Sequence, residues 1–146
     1  MIDREAIYEA LFQRLQEQLA GEVKYFTRRL DHWENINSQP ALLLVADNQR
    51  AEQQFGLPPI WTLAAEIYLY LVSSKSDQTP ESSIHALVDK LELALQRGVE
   101  PNALEWGVRL AGLVDSISLT SVEVAQGEEA GQAVAVVRLE MVAAST

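Results

Sequence analysis

The run from Leu57 to Ser74 restricts what this chain can become more than any other stretch. Trp61, Leu63, Ala65, Ile67, Leu69 and Leu71 fall on one side of an extended backbone; Thr62, Ala64, Glu66, Tyr68, Tyr70 and Val72 fall on the other. The first set is wholly apolar and has to face a core. The second is amphipathic, with two tyrosines that can bury a ring and keep a hydroxyl wet. Pro58 and Pro59 lack a backbone N–H, which predicts that the strand begins only after them. Such a strand belongs in the middle of a sheet that carries helices on one side and wants a partner on the other.

The segments before it supply the first helix and two strands. Asp3 is placed to cap a helix, Glu5 suits the positive end of its dipole, and Ile7, Leu11, Leu15 and Leu19 recur every fourth residue. Gly21 is expected to close that helix at C′. Val23 to Leu30 reads as a short strand and Asp31 to Asn35 as a turn, with Pro40 to Ala46 as a second, continuously apolar strand. Asp47 to Gly56 is polar without period and reads as a long irregular loop joining two antiparallel neighbours.

After the central strand, Pro80 fits the first position of a second helix, whose inward stripe is Ile84, Leu87, Val88, Leu91, Ala94 and Leu95. Gly98 is expected to end it, and Pro101 to Gly112 gives no clear pattern. Ile117 to Val124 and Ala133 to Val142 read as a hairpin with Gly127 and Gly131 in its connection. The order is therefore α-β-β-β-α-β-β. It predicts a single α+β domain over residues 1–146, a two-layer sandwich of four or five antiparallel or mixed strands with two main helices on one face. A face left bare, carrying Tyr68 and Tyr70, is most often covered by oligomerisation.

Chemistry is sparse. Without cysteine, thiolate metal sites and cysteine nucleophiles are excluded. Asp31, His32 and Glu34 adjoin one another but do not converge, and no second histidine stands at metal-ligand spacing. Gly107 to Gly112 lacks the lysine and the spacing of a phosphate loop. No catalytic set, cofactor site or metal site is identified, and a non-enzymatic role is expected. No apolar run approaches the ~18 residues of a membrane helix, and Asp3-Arg4-Glu5 is unlike a secretory signal, so a cytoplasmic origin without membrane contact is expected.

Charge then narrows the partners. Eleven positive residues against 21 negative ones give a net charge of −10 at pH 7. That field repels phosphate and disfavours sequence-specific nucleic-acid binding, while allowing DNA to pass without adhering. Lys24, Arg28 and Arg29 form a basic cluster on this acidic background. It serves equally as a contact for a neighbour's carboxylates or as charge that protects a sheet edge. Trp61 is expected in the core, and Trp33, beside arginine, at an interface.

The chain resembles the small tail terminator proteins of long-tailed bacteriophages and prophages, the lambda-type minor tail protein U group. The likeness is carried by the first helix ending near Gly21, the segment Phe26-Thr27-Arg28-Arg29-Leu30-Asp31-His32-Trp33, and Gln39-Pro40-Ala41-Leu42. It continues through Gly56-Leu57-Pro58-Pro59-Ile60-Trp61-Thr62-Leu63 and the closing hairpin with Gln132-Ala133-Val134-Ala135-Val136-Val137. Gly98 to Val114 departs from the pattern. The resemblance implies a structural virion protein that forms a homo-oligomeric ring, typically a hexamer, at the end of the tail. Its implied partners are the tail tube protein and a head-completion or connector protein, with DNA only passing through the bore. Arg28, Arg29, Trp33, Tyr68 and Tyr70 are the expected interface residues. The alternatives are another neck or tail-completion protein and, from a different class, a small-molecule binding domain.

Overall fold

The computed structural model describes residues 2–30, 39–72, 80–96, 110, 112–126 and 132–144. Seven elements follow in the expected order: α1 (Arg4–Gln18), β1 (Tyr25–Thr27), β2 (Ala41–Gln54), β3 (Leu57–Val72), α2 (Pro80–Gln96), β4 (Ser116–Gln126) and β5 (Gln132–Ala144). The five strands form one mixed sheet in the order β1-β2-β3-β5-β4. β1 runs parallel to β2; every other pairing is antiparallel. The alternating stretch is thus the central strand. It pairs with β5 without a break, from Ile60 opposite Ala144 to Val72 opposite Gln132.

Both helices contribute to one core on one face of the sheet. Ile7, Leu11 and Leu15 of α1 and Ile84, Leu91 and Leu95 of α2 are buried with Leu42 and Leu44 of β2, Leu63, Ile67 and Leu69 of β3, and Val137 and Met141 of β5. Strand period and helix period agree on the same layer, which makes the two-layer α+β sandwich the consistent solution. α2 lies over β3, β5 and β4, while Phe12 of α1 meets Phe26 of β1 edge to face at 6.5 Å. Arg14 of α1 donates from Nε to the Ala94 carbonyl at 3.1 Å, placing a cation at the negative end of α2.

Local expectations fared differently. Asp3 does cap α1, its Oδ1 accepting from the Ala6 N–H at 3.0 Å. The helix ends earlier than expected, with Leu19 at the C-cap. Gly21 therefore does not occupy C′, and its φ is not positive. β1 is only three residues long. Pro80 does open α2, and all six residues of its inward stripe are buried. Trp61 packs against the core margin with the Arg4 guanidinium 4.2 Å from its ring centre.

The largest correction concerns residues 47–59. Asp47 to Gln54 is strand, not loop, and the turn to β3 is only Phe55-Gly56. Nor does β3 wait for the prolines: it starts at Leu57. Pro58 and Pro59 sit where the register shifts between Gln54 opposite Leu57 and Glu52 opposite Ile60, so the ladder does not need their missing N–H groups. Gly56, at φ 74°, supplies the left-handed residue of the turn; a side chain there meets no atom but strains the backbone. Gly98, Pro101 to Arg109, Gly127 and Gly131 lie outside the described residues.

Candidate functional site

The sheet face away from the helices is built by register. Tyr68 and Tyr70 on β3 stand opposite Leu43 and Ala41 on β2 and opposite Val136 and Val134 on β5. Ala41 and Leu43 are fully buried, with the two half-buried tyrosine rings packed against them. Next along β3 the face turns polar. The Tyr68 hydroxyl donates to Glu66 at 2.9 Å; Glu66 lies 4.0 Å from Arg138, and Arg138 lies 2.9 Å from Glu123 on β4. Arg50 on β2 reaches Glu140 on β5 with a forked pair at 3.1 and 3.4 Å. Acid and base thus alternate across four strands, which limits the repulsion a like surface would meet.

Burial raises the Tyr68 phenol above its ordinary value, and its hydrogen bond to the Glu66 carboxylate adds to the shift. Burial alone raises Tyr70. Both rings therefore remain neutral donors at neutral pH. A face with two neutral phenols, valines and mutually paired charges is suited to making contact area. Among the described residues no group of three His, Asp or Glu side chains could hold a metal, and no helix is long and apolar enough to cross a membrane.

The basic segment is placed elsewhere. The Arg28 guanidinium donates to Glu5 and, at 3.4 Å, to Glu9, and stands 6.0 Å from the centre of the Tyr8 ring. Glu5 and Glu9 are one helical turn apart, so a single arginine spans both. Arg28 therefore ties the end of β1 to α1 on the helix side, away from Tyr68 and Tyr70. Arg29 is exposed, and its backbone N–H donates to Thr27 Oγ1 at 3.1 Å. Trp33 lies outside the described residues. The expected interface set thus divides, the tyrosines on the open face and the arginines beyond β1.

Two features leave almost no signal in the sequence. At the tip of the β2–β3 hairpin Phe55 is completely exposed, at 105%, and Leu57 is 59% exposed. The only signal for this was an aromatic residue beside a glycine and two prolines inside a polar run. At the opposite end of β3 lies a cavity of about 150 Å³, with Pro40, Leu71, Ala86 and Leu87 as its apolar lining. The Glu22–Lys90 ion pair, at 2.8 Å, stands on its rim.

Among the described residues the fold is an α+β sandwich with both helices on one face of the sheet and the tyrosine-bearing face on the other side. In comparison with known proteins, no family model and no curated protein matches the chain.

Proposed function

We propose that this chain is a non-enzymatic structural protein of a phage or prophage tail, acting as a ring that caps the tail tube, ends its growth and offers a surface to the head-joining protein. One observation carries the reading beyond the sequence resemblance. Among the described residues both helices pack on one face of a five-stranded sheet, and the other face leaves Tyr68, Tyr70, Val134 and Val136 partly exposed, area available to neighbouring subunits. The net charge of −10 is compatible with a bore through which DNA slides. The depression at the end of β3, about 150 Å³, is smaller than the ~300–1,000 Å³ usual for small-molecule sites.

Electron microscopy of tail tube subunits polymerised with and without the protein tests this reading. Capped tubes of limited length, with a ring at one end, are the expected result. Tubes of unchanged length without terminal density overturn it.

A further inference from the structure

We infer that the tip of the β2–β3 hairpin is a knob, centred on Phe55, that seats in the Pro40–Leu71–Ala86–Leu87 cavity of a second copy of this chain. The inference rests on the ring assembly proposed above and names the contact between its subunits.

Four observations point to this occupant. Phe55 is wholly outside its own fold, with Leu57 beside it largely exposed; an apolar pair held out on a two-stranded tip gains nothing from its own chain. The receiving site is a surface depression of about 150 Å³ whose floor is Pro40, Leu71, Ala86 and Leu87, bordered by Ser83 and the Glu22–Lys90 pair; an aromatic ring is of a size to seat in it.

Knob and cavity also lie at opposite ends of one strand. Leu57 opens β3 and Leu71 all but closes it, a span of roughly 45 Å at the ordinary rise of a strand. No chain can reach its own cavity, so the contact joins two copies. Arranged head to tail it is a heterologous contact, whereas a reciprocal exchange stops at a dimer, which overturns the ring. Such heterologous contacts generate a closed ring when the rotation per subunit closes, and a filament when it does not.

Charge permits the approach. On a chain of net charge −10, the seven residues from Gln53 to Pro59 carry no charge at all. The charges at the cavity rim, Glu22 and Lys90, neutralise each other. Two like copies therefore meet where neither repels the other. The knob alone is small against the ~800 Å² that each partner gives to a standard interface. The exposed flank of β2 from Ala46 to Gln53 supplies further contact area alongside it.

The absence of cysteine makes a clean test. In the full-length chain, Phe55→Cys and Ala86→Cys are introduced singly and together, and a short bismaleimide is added. Both positions are exposed, so the fold, checked by circular dichroism, is retained. Mixed single variants are expected to give the heterodimer, and the double variant a ladder of covalent oligomers that stops at the ring number. The cysteine-free Phe55→Ser variant is expected to weaken self-association by about tenfold to a hundredfold, the range that follows from exposing one buried aromatic side chain.

Oligomers of fixed mass by light scattering, without this cross-link and undisturbed by Phe55→Ser, overturn the contact while the ring stands. A ladder that continues without closing supports the contact and removes the cap reading. A monomer at every concentration with no cross-link overturns both.

Discussion

The β2–β3 hairpin has two regions that share one ladder and little else. In the body, Ala41 to Leu44 on β2 are all buried, Leu42 and Leu44 under the helices and Ala41 and Leu43 against the tyrosines. On β3 every second residue from Leu63 to Leu69 is buried under the helices. In the arm, β2 from Ala46 to Gln53 is exposed residue after residue, although its pairing with β3 continues to Gln54 opposite Leu57. The last ties from the helical layer are Arg4 to Gln49, at 2.6 Å, and Arg4 over Trp61. Beyond Ile60, where pairing with β5 ends, two strands go on alone. The difference shows that hydrophobic alternation records burial rather than pairing. A ribbon wet on both sides can stay paired, here with two register shifts, and still have no apolar period.

The largest test of this division compares truncations in the two regions. Ile67→Ala, in the fully buried body, is expected to cost about 2–5 kcal/mol in denaturant titration. Leu57→Ser in the arm is expected to stay within about 0.5 kcal/mol. Equal losses at both sites would break the distinction.

A second test uses alkali. Tyr8, Tyr68 and Tyr70 all lie in the body or under it, and burial raises each phenol above its ordinary 10.0. The arm, residues 46–62, contains no tyrosine. Because the folded values are the higher ones, this contribution to stability is complete below pH 10.0 and is lost as the pH rises through the raised values. Ultraviolet titration of phenolate should show late ionisation at these three positions, with Tyr8→Phe removing one late step and Tyr68→Phe another. If neither substitution changes the late phase, the assignment fails.

The smallest effect sharpens the boundary itself. Arg50 is 69% exposed and pairs with Glu140 across the sheet, so Arg50→Ala is expected to cost no more than about 1 kcal/mol. Faster amide exchange confined to the arm would accompany it if this pair anchors the ribbon. Faster exchange throughout β3 would place the anchor in the body instead.

What could be read from the sequence follows the same division. The order of elements along the chain, the central position of β3 and the covered face were legible because Leu63 to Leu71 and Ile84 to Leu95 carry the periods of the elements that bury them. That β5 inserts beside β3 and β1 runs parallel to β2 was not legible, since neither pairing leaves a mark on local periodicity. The arm was not, since Asn48, Gln49, Arg50 and Glu52 are polar on either side of the strand. At the candidate site, the parity of β3 was enough to put Tyr68 and Tyr70 on the open face. The attachment of Arg28 to Glu5 and Glu9 was hidden because it joins residues 23 and 19 positions apart, a relation fixed only when α1 docks. Phe55 read only as one residue of an irregular loop, because its complete exposure depends on how far the hairpin extends.

The two register shifts in the hairpin have a consequence for what the arm tolerates. One lies between Ala46 and Gln49, the other between Glu52 and Gln54, and they are of opposite sense. Between them the strand is rotated by half a turn of its pleat, which sends Gln49 toward Arg4 and Arg50 toward Glu140. Losing either Asp47 or Asn48 cancels the first shift and exchanges those two neighbours. The arm is therefore permissive toward changes of letter and strict about length: its reading frame, more than its residue types, decides which side meets which partner.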